Sequence, residues 1–165
     1  MKPKYLLFIL SINLISFSVS SQDIWSPEES MKIKSINQTD ISNDGKYITY
    51  VVREAIMKDK KSEFLSQIWV YNTRGSQSIQ YTFNEKSSTS PKFSPDGKKI
   101  AFLSSRSGKN QIWIMNTLGG EAKKLTDEKK GVRSIKWSPD GNNISFLKND
   151  NDTEEETKSK ENKTD

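Results

Sequence analysis

Phe93-Ser94-Pro95-Asp96-Gly97-Lys98-Lys99-Ile100-Ala101-Phe102-Leu103 decides the fold, because the chain carries it in three versions. It returns downstream as Trp137-Ser138-Pro139-Asp140-Gly141-Asn142-Asn143-Ile144-Ser145-Phe146-Leu147, and it is preceded by Ile41-Ser42-Asn43-Asp44-Gly45-Lys46-Tyr47-Ile48-Thr49-Tyr50-Val51. Each version is a turn feeding a strand. Proline presets φ for the second position of a type I turn, aspartate tolerates the third, and glycine accepts the positive φ that follows. Asn43 stands where the later versions have proline, which predicts a slightly weaker first turn with its Asp-Gly intact. The strand behind each turn places isoleucine, a small residue, an aromatic and an aliphatic at matching positions. Both faces are thus partly apolar, as expected of a strand packed between layers rather than one washed by water.

A second element repeats in the same phase. Gln67-Ile68-Trp69-Val70-Tyr71-Asn72-Thr73 matches Gln111-Ile112-Trp113-Ile114-Met115-Asn116-Thr117, followed by Gly75 against Gly119 and Tyr81-Thr82 against Leu125-Thr126, every pair 44 residues apart. The turns at Asp96 and Asp140 share that spacing, whereas Asp44 and Asp96 are 52 residues apart. The eight extra residues fall between Val52 and Gln67, where the charged stretch Arg53 to Ser66 reads as a longer hairpin loop. A period of ~40–45 residues carrying several short strands is the signature of β-propeller blades, each a four-stranded antiparallel sheet. One period supplies a strand after the Asp-Gly turn, one at Gln-Ile-Trp, a short one around Lys124-Leu125-Thr126, and one entering the next turn. The fold class is therefore all-β, a partial propeller of about two to three blades over residues 41–148. Closed propellers need about four to eight blades, so these residues alone do not close a ring.

Composition narrows the chemistry. The 165 residues contain neither histidine nor cysteine. Within them there is no Ser-His-Asp triad, Cys-His pair, HExxH zinc helix, disulfide framework or thiolate metal site. No catalytic, cofactor-binding or metal-binding residue is assigned, and no cofactor is expected. The formal charge is +5. Lys2 and Lys4 contribute two of those charges, and the other basic residues are scattered, which is no nucleic-acid footprint.

The two ends read differently from the middle. Met1-Lys2-Pro3-Lys4 is a positive n-region, Tyr5 to Phe17 a mostly apolar stretch, and Ser18-Val19-Ser20-Ser21 a set of small residues suited to signal peptidase. Residues 1–21 are thus expected to be a signal peptide for the Sec route, giving a periplasmic or secreted product with no membrane anchor after cleavage. Ser11, Asn13 and Ser16 interrupt the apolar stretch, which falls short of the ~20 residues needed to span a bilayer. Residues 22–40 form a lead-in with one short helix, in which Ser26 is the N-cap, Pro27 the first helical residue and Glu29 the closing member of a capping box. Residues 149–165 hold seven acidic and three basic residues and no large apolar side chain, and read as a charged, disordered loop or tail. A stop inside such a loop would leave a sheet edge unpaired, so the sequence reads as part of a longer protein.

Ser-Pro-Asp-Gly-Lys-Lys-Ile-Ala-Phe, then Gln-Ile-Trp, then Gly119-Gly120-Glu121-Ala122-Lys123-Lys124-Leu125-Thr126 resembles the repeat shared by TolB-type propellers and the propellers of the prolyl oligopeptidase family. The Trp-Ser-Pro-Glu-Glu segment ahead of the first blade and the acidic, lysine-rich insertion after Ser-Phe-Leu are similar to the acylaminoacyl-peptidase and dipeptidyl-peptidase branches of the latter. The resemblance covers about residues 23–160. It implies a propeller that precedes a C-terminal α/β-hydrolase domain and screens peptide substrates by size on their way to that domain's Ser, Asp and His. No Gly-x-Ser-x-Gly elbow occurs in these residues, so no catalytic residue is carried over. The alternative is a TolB-like periplasmic propeller that binds partner proteins without catalysis.

Weaker signals have plain structural readings. Asp150-Asn151-Asp152-Thr153-Glu154 alternates oxygens as a calcium loop does, but Glu155 occupies the place of the required glycine, which favours a solvated loop. Trp69 and Trp113 stand at equivalent repeat positions and read as core packing rather than a ligand platform. Arg106, in Ser105-Arg106-Ser107-Gly108, reads as an exposed turn residue, with a channel-facing site for a peptide carboxylate as the sharper alternative. Asn37-Gln38-Thr39, Asn151-Asp152-Thr153 and Asn162-Lys163-Thr164 match the glycosylation pattern, relevant only in a eukaryotic secretory route.

Overall fold

The computed structural model describes Ser26 and residues 29–30, 32–58 and 61–148. The predicted signal peptide and the charged segment 149–165 lie outside the described residues, as do the calcium-like run and the two later glycosylation patterns. Among the described residues there are ten strands in three antiparallel sheets. The first sheet is β1 (Ser35–Ile41), β2 (Tyr47–Lys58), β3 (Lys61–Asn72) and β4 (Gln77–Gln80), in that order. The second is β5 (Ser88–Phe93), β6 (Lys99–Ser104), β7 (Gln111–Asn116) and β8 (Lys123–Lys124). The third holds β9 (Val132–Trp137) and β10 (Ile144–Lys148). Two complete propeller blades and the first half of a third follow one another, with the strand leading into each Asp-Gly turn as the first strand of its blade.

The repeated turns explain that order. In the second sheet, Asp96 Oδ1 accepts from the Ser94 hydroxyl at 2.6 Å and from the Lys98 amide at 3.0 Å, while the Gly97 amide reaches the Ser94 carbonyl at 2.8 Å. Ser42 and Asp44, and Ser138 and Asp140, make the same contacts. The three glycines sit at φ 67°, 69° and 72°, a region glycine enters without steric cost. Asn43 does more than stand in for proline. Its side-chain amide donates to the Pro95 carbonyl at 2.7 Å and ties the first turn to the second.

The core is made between sheets. Val51, Ile68 and Val70 of the first sheet meet Phe93, Ile100, Phe102 and Met115 of the second. Ala101, Leu103 and Ile112, from the opposite face of the second sheet, meet Val132 and Ile135 of the third. The second sheet is thus apolar on both faces and covered on both, as its sequence predicts. A buried polar tie recurs at equivalent positions of the two third strands, Gln67 within β3 and Gln111 at the start of β7. Gln67 accepts from Thr82 and donates to the Asn84 carbonyl, and Gln111 does the same with Thr126 and Glu128. Each glutamine satisfies the loop that leads to the next blade.

Two expectations differ from what is observed. The stretch Arg53 to Ser66 is not a loop. β2 and β3 pair without interruption from Tyr47 opposite Asn72 to Lys58 opposite Lys61, so the insertion continues both strands. The charges that suggested a loop are interspersed with Ala55, Ile56, Met57, Phe64 and Leu65, and a ribbon satisfies its backbone by pairing regardless of side-chain charge. The helix expected from Ser26 is represented by its cap contact, in which Ser26 Oγ accepts from the Glu29 amide at 3.1 Å. Pro27, Glu28 and Met31 lie outside the described residues. Glu29 pairs with Lys32 at 2.5 Å rather than closing a capping box.

Candidate functional site

The first strands of the three sheets carry the feature most suited to function. β1 packs beside β5 and β5 beside β9, while the fourth strands β4 and β8 make no comparable approach, so the sheets splay outward from a common line. Each first strand is broken by a β-bulge. Its register jumps between Asn37 and Asp40 in β1 and between Thr89 and Lys92 in β5, and β10 pairs past Ser134 in β9. Gln38, Ser90 and Ser134 take positive φ values of 51°, 55° and 53° at these bulges. They are spaced 52 and 44 residues apart, the spacing of the Asp-Gly turns. A non-glycine residue in this conformation costs about 1–2 kcal/mol, so surrounding contacts must hold it. Gln38 supplies one, since its side-chain oxygen accepts from the Ser90 amide of the neighbouring bulge at 2.8 Å.

Below the bulges the first strands are stitched by charge. Asp40 accepts from Lys92 Nζ at 3.1 Å and from the Phe93 amide at 2.8 Å. The Trp137 indole donates to the Lys92 carbonyl at 3.1 Å. These side chains, with Asn43 and Lys136, line a groove of about 680 Å³ that crosses all three sheets on the side where the first strands meet. Lys136 follows Asp40 and Lys92 in the repeat, so the charge along the groove runs from acidic to basic. Such a groove can hold a peptide-sized polar chain by hydrogen bonds and charge. It contains no nucleophile–base pair, and among the described residues no three His, Cys, Asp or Glu side chains converge.

Arg106 lies outside this groove, between the first two sheets. Its guanidinium stacks 4.3 Å from the Trp113 ring and 5.4 Å from the Phe102 ring, and Nε donates to Ser104 Oγ at 3.3 Å. Burial holds its pKa below the ordinary arginine value. It is neither a free turn residue nor a channel-facing cation, because cation–π stacking on Trp113 is available at the sheet interface. Trp113 packs against the core between the first two sheets. Trp69 stacks on Tyr50 at 6.4 Å, on the face of the first sheet turned away from the second. Sequence reasoning missed the bulged first strands. Their signal was present in the common spacing of Gln38, Ser90 and Ser134, but one is glutamine and two are serine, and the property all three share is a backbone angle.

Comparison with known proteins agrees with this architecture. The family model of the Tricorn protease N-terminal β-propeller domain matches residues 63–161. A Bacillus subtilis (strain 168) protein described as the uncharacterized peptidase YuxL is 42% identical over 76 residues, 46% of this chain and 11% of that protein. Acylaminoacyl peptidase from Pyrococcus horikoshii superposes with a TM-score of 0.58 at 27% identity, covering 73% of this chain and 18% of its own. A structure from Agrobacterium tumefaciens, provisionally described as TolB, gives 0.52 at 30% identity over 64% of this chain and 35% of that one. The chain therefore spans about a tenth of the curated relative and between 18% and 35% of these solved chains.

Proposed function

The chain belongs to the Tricorn protease N-terminal β-propeller family, a propeller of the kind found in prolyl oligopeptidase-type peptidases, and from that premise we propose that it is the exported screening part of a serine peptidase. In this reading the propeller stands before a C-terminal α/β-hydrolase domain and admits peptides by size. The observation that carries it is the groove built by β1, β5 and β9, which sits where first strands converge and is walled by Asp40, Lys92, Lys136 and Trp137. It handles a polar chain and does no chemistry on it, as a screen requires. Residues 1–21, with their lysines, apolar stretch and small residues, support passage through the Sec route before the propeller folds.

The test uses the full-length protein. A fluorophosphonate probe is expected to label it outside these 165 residues, and kcat/KM on acyl-peptide or aminoacyl substrates is expected to fall steeply as the peptide lengthens. The 165-residue chain alone is expected to show no turnover. Equal cleavage of short and long peptides would sink the screening role. The second reading, a TolB-like binding propeller without catalysis, draws on the 30% identity to the Agrobacterium structure. A full-length protein that neither reacts with the probe nor hydrolyses peptides would favour it.

A further inference from the structure

With eight extra residues between Val52 and Gln67, β2 and β3 each run six residues past that pair, whereas β6 and β7 stop pairing at its equivalents, Ser104 and Gln111. The insertion builds a ribbon that rises past the end of the second sheet. Because side chains alternate, Arg53, Ala55, Met57, Phe64 and Ser66 continue the face on which Val51 and Ile68 are buried against that sheet. Above Val51, however, this face has no sheet beside it. Arg53 lies over the Phe64 ring at 3.7 Å, and Met57 and Phe64 are 56% and 58% exposed. Phe83, in the segment joining β4 to β5, is 75% exposed and lines with Phe64 and Leu65 a groove of about 430 Å³ at the foot of the ribbon. Phe64 and Phe83 share this groove and Met57 continues the Phe64 face toward the ribbon tip, an exposed apolar grouping rather than singly scattered surface residues.

The direction of the strands says which part of a longer protein meets that grouping. Every first strand starts at this end of its sheet, and every fourth strand finishes there, since each blade is a four-stranded meander. The lead-in arrives here too, with Lys34 paired to Glu54 of the ribbon at 2.6 Å just before β1 begins at Ser35. Polypeptide joined before the first blade or after a last one therefore connects on the ribbon side, and the opposite side holds only the turns within blades. The geometry points to the Met57–Phe64–Phe83 rim as the surface on which the catalytic domain of the same polypeptide docks, with the ribbon acting as a bracket between the two domains. This rests on the peptidase reading above.

The experiment keeps the full-length protein. Cysteine is introduced by Phe64→Cys or Phe83→Cys and carries a thiol-linked benzophenone, with Leu118→Cys as control on the opposite side, where Leu118 is 83% exposed. All three positions are exposed, so none removes core packing. After irradiation, labels at 64 and 83 are expected to form intramolecular cross-links to the region that reacts with fluorophosphonate, unchanged over a 100-fold dilution, whereas the label at 118 is not. Cross-links between copies that vanish on dilution would instead make the rim a self-association surface and overturn the proposal. So would a protein that reacts with fluorophosphonate yet gives no cross-link from 64 or 83. Failure to react with fluorophosphonate at all removes the peptidase reading and, with it, this occupant of the rim.

Discussion

Asp44, Asp96 and Asp140 each hold a turn by accepting from a serine hydroxyl two residues before and an amide two residues after. These bonds favour the charged carboxylate and keep all three groups below the ordinary aspartate value, most strongly at Asp44, where the Lys46 side chain is the largest cause. A depressed folded-state pKa stabilises the fold above the unfolded value of about 3.9, and the contribution is lost as pH falls through the folded value. The turns are solvent-exposed, so the effect is screened and modest. Replacing all three by asparagine should lower the urea midpoint near pH 7 and flatten its decline between about pH 4 and 2. An unchanged acid limb in that variant would show that the turns hold without the charge.

At the scale of elements, Phe102 is the strongest single test of how blades cohere. It is fully buried on β6, between Trp113 and the apolar face of the first sheet. Truncation of a buried phenylalanine to alanine costs about 3–5 kcal/mol, so Phe102→Ala should lower the unfolding free energy by that order while leaving the three Asp-Gly turns intact. A loss below about 1 kcal/mol, measured by urea unfolding, would mean that the first two sheets are not one packed unit. The same position shows what was legible in the sequence. Ile100, Phe102 and Leu103 announced a strand buried on both faces because burial selects residue type, and type is what a sequence displays. The bulges at Gln38, Ser90 and Ser134 are selected through φ and inter-strand amides, which glutamine and serine satisfy equally, so no residue pattern marked them. The ribbon was misread for a related reason. Arg53, Glu54 and Glu63 look like loop residues, yet they occupy a two-stranded ribbon whose pairing is set by the backbone.

For the molecule as a whole, stability should be graded along the chain, because in a stacked array each sheet is held chiefly by its neighbours. The second sheet is covered on both faces, the first on one, and the third is two-stranded with β10 as its edge. On β10, Ile144 and Phe146 turn toward the second sheet, while Leu147 on the other face is 56% exposed. Backbone amides exchange through openings whose cost follows the buried contacts that must be broken. In the 165-residue chain, amides of β6 and β7 should therefore exchange most slowly and those of β10 most rapidly, with β2 and β3 between them in their inner halves. Ile135→Ala, which removes a contact between the third sheet and the second, should speed exchange in β9 and β10 with little effect on β2 and β3. Phe102→Ala should do the reverse, loosening the joint between the first two sheets. If both substitutions accelerated exchange uniformly from β1 to β10, the sheets would be opening as one cooperative body rather than as stacked units, and the neighbour-by-neighbour account of this propeller would fail.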